Sequence, residues 1–380
     1  MAKQKTILLL TGGGLAPALN ATLYGAILAA RKYHWRILGG VSGWISLAQN
    51  GRIVDLTKLD ISSLKNHGGD FLRSSRTNPF KVQNGLELIR EKIAKYKIDG
   101  IMAIGGDDTL KAAAKLYQQE KIPIIGLPKT VDNDLPQTYF CPGFPSAAYN
   151  TAQLTAETKE DSAYTLSRVF IIETYGAQSG FLTASAALGG ADIVIPPEWK
   201  FNLKDILKII KQKYEANGNY CVIALSKEAR IKGIKGLLDT QFDGFGNKRQ
   251  EFISLNLKKK IENNLGLSVR IIIPMNFVQS GMPIKLDWDL GEKLGQAGIK
   301  LIKQNQFGKI PVIIRKNGKF TIRTVSLNNL KGREKLDTSL FNRATMLPTK
   351  KYFDYLKTIL GNTKFIDRKY LKLQQKIAKK

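Results

Sequence analysis

The chain has 380 residues, 43% hydrophobic and 24% charged, with 59 Lys and Arg against 31 Asp and Glu. That length and apolar content can fill one large α/β domain or two, and they exclude a disordered or fibrous chain. The net charge of +28 fits polyanionic substrates or a lysine-favouring composition. Its lysines are spread over solvated helix faces such as 204–213 and 258–260, not interleaved with aromatic residues, so no nucleic-acid partner is expected.

Cys141 and Cys221 lack metal-ligand spacing, which argues against a zinc site or disulfide framework and fits a reduced compartment. With His34 and His67 the only histidines, catalytic proton transfer falls to carboxylates. No apolar run is long enough to span a bilayer, and the amino-terminal lysines precede no signal-like apolar core. The expected location is the cytoplasm, with no membrane partner.

From the amino terminus, a leucine-rich run at 6–11 predicts a buried strand, and Gly12-Gly13-Gly14 turns it into a helix over 17–32. Strand, glycine turn and helix start would offer backbone N–H groups to an anion, although such a turn can equally be a tight connection. The loop from Gly68 to Phe80 carries Arg73, Arg76 and several hydroxyls, a chemistry suited to clamping phosphate. A helix over 85–96 follows.

The strand predicted at 100–104 ends in Gly105-Gly106-Asp107-Asp108-Thr109, which opens a helix over 108–119. Two adjacent acids repel phosphate unless a cation intervenes, so Asp107 is expected to bind Mg2+; the plainer reading is a pair of helix-capping acids. The strand at 122–126 leads to Pro128-Lys129-Thr130-Val131-Asp132-Asn133-Asp134. In an extended loop Asp132 and Asp134 would face one side, one as base and one supporting the metal, with Lys129 balancing phosphoryl charge.

Further strands are predicted at 169–173, 220–225 and 269–273, and helices over 147–159 and 178–188. The lysine-rich tail holds helices near 350–360 and 370–379 and is assigned no chemistry. Alternating strands and helices imply an α/β fold with helices on both faces of a mostly parallel sheet. Ligands then bind beyond the carboxyl ends of the strands, where the glycine and aspartate motifs fall. Pro136 and the Pro142–Pro145 stretch suggest a domain boundary near 138.

In order, these motifs resemble the signatures of the 6-phosphofructokinase family, over about residues 6 to 305. The resemblance implies two Rossmann-like three-layer α/β/α domains of the phosphofructokinase fold. Residues 1–138 with 277–325 would bind the phosphoryl donor, 139–276 the sugar phosphate, and 326–380 would form a basic C-terminal extension. It implies Asp132 as the base for the 1-hydroxyl of fructose 6-phosphate, assisted by Thr130 and Lys129. Mg2+ would be held by Asp107 and Asp134, and the donor by Gly13, Gly14, Arg76, Gly106, Asp108 and Thr109. The acceptor would meet Tyr175, Gly176 and Glu228, with Arg168 and Arg270 supplied by a neighbouring subunit of a homodimer or homotetramer.

The donor is expected to be pyrophosphate. Family members using ATP resemble one another in placing glycine where this chain has Asp108, and an aspartate there crowds and repels the α-phosphate of a nucleotide. Asp108 with Lys129 is similar to the pyrophosphate-using pattern; ATP is the alternative. The acceptor half departs from the family. Ala177 and Ser280 replace arginines, Phe277 replaces a histidine or tyrosine, Leu15 replaces an aspartate, and Lys227-Glu228 stands where one glutamate is usual. Reworked contacts to fructose 6-phosphate, a different sugar phosphate, or a non-catalytic subunit all fit these changes.

Overall fold

The computed structural model describes residues 4–378 apart from positions 177, 235, 243, 244 and 247. The chain divides into two compact units, one of Met1–Ser146, Phe242–Asn247 and Gln279–Arg333, the other of Ala147–Gln241, Lys248–Val278 and Glu334–Lys380.

The strands of the two main sheets are β1 (Thr6–Gly12), β2 (Arg36–Gly40), β3 (Ile53–Asp55), β4 (Gly100–Gly105), β5 (Ile124–Pro128), β6 (Val169–Thr174), β7 (Ile193–Ile195), β8 (Cys221–Ser226), β9 (Val269–Ile272), β10 (Lys309–Lys316) and β11 (Lys319–Ser326). The longer helices are α1 (Leu19–Arg31), α2 (Gly85–Tyr96), α3 (Asp107–Glu120), α4 (Phe144–Glu157), α5 (Leu203–Asn217), α6 (Ile253–Leu265), α7 (Lys285–Lys303), α8 (Lys350–Leu360) and α9 (Arg368–Ala378).

In the first unit the sheet order is β11-β10-β5-β4-β1-β2-β3. Only the outermost strands β3 and β11 run antiparallel to their neighbours. The inner strands are apolar at nearly every position because both faces are covered. Leu8, Leu10, Ile101 and Ala103 face Ile89 of α2 and Leu110 and Leu116 of α3. Ile7, Leu9, Met102 and Ile104 face Leu19 and Leu23 of α1 and Ile299 and Ile302 of α7. The result is a three-layer α/β/α sandwich. Helices α1 and α7 meet through glycine, since a Cβ at Gly25 or Gly295 would overlap main chain of the other helix.

The second unit is built on four parallel strands in the order β9-β6-β8-β7. Helix α4 is prolonged by a π turn at Thr158–Ala163, where Lys159 reaches Asp192 (2.5 Å) in a buried ion pair. The helix expected over 178–188 is only Phe181–Ser185 followed by a tighter turn at Ala186–Gly189. The strand expected at 122–126 begins two residues later, because the Ile122 N–H turns back to the Leu116 carbonyl to finish α3.

The stretch expected as one extension, 326–380, is divided. Leu327 and Leu330 sit in the first unit's core, and residues from Glu334 onward pack with the second unit. Among the described residues no helix is long and apolar enough to cross a membrane.

Candidate active site

The strand register sets the motifs of the first unit side by side. Gly12 at the end of β1 pairs with Gly105 at the end of β4, and Gly105 pairs with Pro128 at the end of β5. Between the glycines stands Thr109, almost fully buried; a Cβ on Gly105 would lie 2.5 Å from its Cβ, and one on Gly12 would overlap its hydroxyl. Thr109 therefore packs inward beneath the turns, in the first turn of α3. That helix begins at Gly106 with no side-chain cap, so its positive end is open to an anion.

Lys129 is buried under the first glycine turn. Its ammonium donates to the Gly12 carbonyl (2.9 Å) and to that of Gly14. Burial pushes it down to about 8, opposed by the carboxylates of Asp70 and Asp132 and reinforced by Arg76. The lysine thus binds the turn after β1 to the loop after β5.

The arginine-bearing loop folds onto the same turn. The Gly13 N–H donates to the Ser75 carbonyl (3.1 Å), and Ser74 Oγ donates to the Gly13 carbonyl (2.6 Å). The Gly13 amide expected to face an anion is therefore spent inside the protein. Gly13 has φ +84°, a conformation that suits glycine. Asn20 fixes the other end of the loop, donating to the Gly68 carbonyl (2.9 Å) and accepting from Phe71 N–H (3.0 Å). Arg76 is exposed at the rim. Asp70 lies beneath, its carboxyl raised by burial against the pull of Thr11 and Lys129; nothing in its sequence context singled it out. Gly14 is half-buried and faces Gln279, whose Nε2 would stand 3.4 Å from a Cβ there.

The aspartate loop is not extended. Asn133 takes φ +56°, and its side chain accepts from the Cys141 N–H (2.9 Å), so the shared face that an extended strand would give Asp132 and Asp134 is not what sets them. Asp134 is buried and Asp132 half-buried. Burial first, then the Asp132 charge, pushes Asp134 up to about 7, with Asp107 adding and Arg333 opposing. Thr130 Oγ1 accepts from the Asp132 N–H (3.1 Å).

Asp107 and Asp134 converge on Arg333. The guanidinium Nη2 and Nε lie 3.1 and 3.2 Å from Asp107 Oδ2, and Nη1 lies 3.8 Å from Asp134 Oδ2. Lys111, one turn along α3, also reaches Asp107 Oδ2 (2.7 Å). Burial works against the Arg333 charge, but Asp134, Asp107 and Asp108 outweigh it and raise its pKa. Asp108 is half-buried in the first turn of α3. Arg333 comes from the tail to which the sequence assigned no chemistry; a lone arginine among many basic residues carries no local signal.

In the second unit, Tyr175 and Gly176 follow β6, and Glu228 follows β8. Ser226 Oγ donates to the Gly176 carbonyl (2.9 Å) and accepts from the Glu228 N–H (3.3 Å), which holds these residues together at the carboxyl ends of their strands. The Lys227 ammonium stands 5.3 Å over the Tyr175 ring, and the Tyr175 hydroxyl is 3.4 Å from Asn276 Oδ1. Glu173 is committed elsewhere, accepting from Phe252 N–H (3.0 Å) and Ser254 N–H (2.9 Å) at the start of α6.

Arg168 precedes β6, and Arg270 pairs with Phe170 near the start of that strand. Both therefore lie toward the opposite end of the sheet from Tyr175, about 15–25 Å away at 3.3 Å per residue. Within one chain they do not join that cluster. Phe277 is 63% exposed, and Ala177 lies outside the described residues.

The sequence profile described as Phosphofructokinase matches residues 6–302. The chain belongs to the phosphofructokinase family. A pyrophosphate–fructose 6-phosphate 1-phosphotransferase of Dictyoglomus thermophilum is 32% identical over 303 residues, 79% of this chain and 86% of that protein. An ATP-dependent 6-phosphofructokinase of Halothermothrix orenii is 31% identical over 307 residues, 80% and 89% of the two. In fold, the chain is similar to the pyrophosphate-dependent phosphofructokinase of Marinobacter aquaeolei, with a TM-score of 0.82 at 23% identity over 94% of this chain and 91% of that one.

Phosphofructokinase chemistry implies a divalent cation, and the donor set fits Mg2+. Asp107 and Asp134 would offer carboxylate oxygens from separate strand ends, and the Arg333 guanidinium lies between them. Among the described residues no group of three or more His, Cys, Asp or Glu side chains is placed to hold a metal. One or two carboxylates with water and phosphate oxygens making up the rest is how Mg2+ is commonly bound by phosphoryl-transfer enzymes.

Proposed function

We propose that this phosphofructokinase moves a phosphoryl group from pyrophosphate to the 1-hydroxyl of fructose 6-phosphate, with Mg2+, in cytoplasmic glycolysis. The observation that carries the reading is the meeting of Asp107 and Asp134 around one cation, with Asp132 in the same loop. Phosphoryl transfer needs little covalent help from the protein; it needs positioning and charge stabilisation. Asp132 accepts the hydroxyl proton as the sugar oxygen bonds to phosphorus, the bridging P–O bond breaks, and phosphate leaves. Mg2+ on Asp107 and Asp134 would neutralise the oxygens of the group in flight. Lys129 holds the glycine turn against the aspartate loop and adds positive charge beneath it.

Relatives with pyrophosphate and ATP in their names stand at nearly the same identity, so the donor rests on residues. Asp108 at the helix start would crowd and repel a nucleotide α-phosphate, a group pyrophosphate lacks. Gly13, Gly14, Gly106, Arg76 and the main chain of Thr109 frame the donor. Tyr175, Gly176 and Glu228 meet the sugar, with the Lys227 ammonium beside Tyr175 as a nearby cation. Arg168 and Arg270 serve the neighbouring subunit's sugar phosphate in a homodimer or homotetramer.

A second reading, a different sugar phosphate as acceptor, is favoured by Phe277 and Ser280 in place of family contacts. The test is purified protein with Mg2+, fructose 6-phosphate and either pyrophosphate or ATP, with the bisphosphate product measured. Turnover with pyrophosphate is expected. Turnover with ATP alone overturns the donor assignment, and none with either donor overturns the acceptor.

A further inference from the structure

Arg333 lies beyond the family-matched span of 6–302. It is delivered by a short anchored segment. Leu327 and Leu330 are buried in the first unit's core, and the Leu327 N–H donates to the Gly308 carbonyl (2.9 Å). Lys331, Gly332, Glu334 and Lys335 are exposed, and Arg333 is the residue of this stretch turned inward, its side chain 19% exposed. Gly332 has φ +83°, and a Cβ there would meet nothing within 4 Å. The glycine is thus required by the backbone turn that presents Arg333, not by crowding.

Two of the guanidinium nitrogens converge on one atom, Asp107 Oδ2, and the third faces Asp134 Oδ2. A cation bridging the pair through these Oδ2 atoms would displace the guanidinium and be repelled by it, and the Lys111 ammonium on the same Asp107 Oδ2 (2.7 Å) adds to that repulsion. Through those two atoms the pair holds one or the other. We propose that Arg333 is a built-in competitor of the divalent cation, holding the Asp107–Asp134 pair until the metal arrives and leaving Asp107 Oδ2 when it binds. This rests on the reading above that the pair takes the metal. Cation binding is then coupled to release of the Arg333 side chain, while Leu330 and Leu336 on either side stay buried. By linkage, whatever weakens the arginine contact strengthens the cation's hold, by at most the same factor.

The experiment is a Mn2+ titration of the full chain without donor or acceptor, read by loss of the free-ion electron paramagnetic resonance signal. Arg333→Gln is expected to bind Mn2+ about tenfold more tightly than the parent, the order expected for losing a charge-assisted contact. Arg333→Lys, which keeps a cation but not the fork, should fall between them, and Asp107→Asn should bind weakest. Mn2+ should also raise the thermal midpoint of Arg333→Gln more than that of the parent, a readout independent of turnover. If neither arginine variant gains affinity while Asp107→Asn loses it, the competition is wrong and the metal site stands. If Mn2+ affinity ignores Asp107 as well, both the competition and the metal assignment fall.

Discussion

The Lys129 ammonium donates to the Gly12 carbonyl at 2.9 Å, tying the turn after β1 to the loop after β5 through a cation that burial has weakened. With its pKa pushed down to about 8 from 10.5, Lys129 is cationic at neutral pH and loses its charge on mild alkalinisation. Because the folded value lies below the unfolded one, its contribution to stability is fully present above pH 10.5 and is lost as pH falls through 8. Lys129→Met should therefore flatten the stability profile between about pH 8 and 10.5, removing a variation on the order of 3 kcal/mol. Denaturant midpoints across that range check it. In turnover, an alkaline limb near pH 8 should move upward in Lys129→Arg, and an unmoved limb would assign it to another group.

If Asp108 sets the donor, removing its carboxylate should change which donor is used once Lys129 is also replaced. Asp108→Gly alone should leave ATP use low while Lys129 remains, whereas Asp108→Gly with Lys129 replaced should raise kcat/KM for ATP by about tenfold or more and lower it for pyrophosphate. Steady-state kinetics with both donors, single against double variant, decides this. Equal ATP use by the single variant would mean that Lys129 has no part in the choice.

The inward packing of Thr109 gives a stability prediction. A methyl at Gly12 would overlap the Thr109 hydroxyl and lie 2.9 Å from its Cγ2. Gly12→Ala should cost about 1–3 kcal/mol from overpacking. Removing the obstructing atoms with Thr109→Ala should recover much of that loss, giving a coupling of about 0.5–3 kcal/mol in a double-mutant cycle. Simple additivity would show that the two residues do not meet as described.

Much of the first unit was legible because its elements obey local rules. Strands buried on both faces read as continuous apolar runs, as at Ile7–Leu10 and Ile101–Ile104, and glycine at their ends marks the turns. The helices Gly85–Tyr96 and Lys350–Leu360 fall at the residues their periodicity predicts. What escaped depends on contacts distant in sequence. The bend at Asn133 is fixed by Cys141, eight residues on. The Gly13 amide is taken by Ser75. Asp287, buried on α7, accepts from the N–H groups of Gly143 and Ser146 and from Ser146 Oγ at the start of α4, with its carboxyl pushed by burial up to about 6. None of these pairings leaves a mark in a local window.

The separation of Arg168 and Arg270 from Tyr175 and Glu228 along β6 gives the last prediction. If the arginines complete a neighbour's acceptor site, one site draws Asp132 from one chain and Arg270 from another. Asp132→Ala should be inactive and remain folded, since Asp132 is half-buried and outside the packed core. Arg270→Ala should raise KM for the sugar phosphate steeply. Mixed and reassembled, the two variants should regain about a quarter of the parent's activity, because half the dimers are hybrids and each hybrid holds one intact site and one doubly impaired site. The recovered fraction should bind the acceptor with the parent's KM, which separates true complementation from residual Arg270→Ala activity. Activity no higher than the average of the two separate variants would place Arg270 outside the neighbour's site.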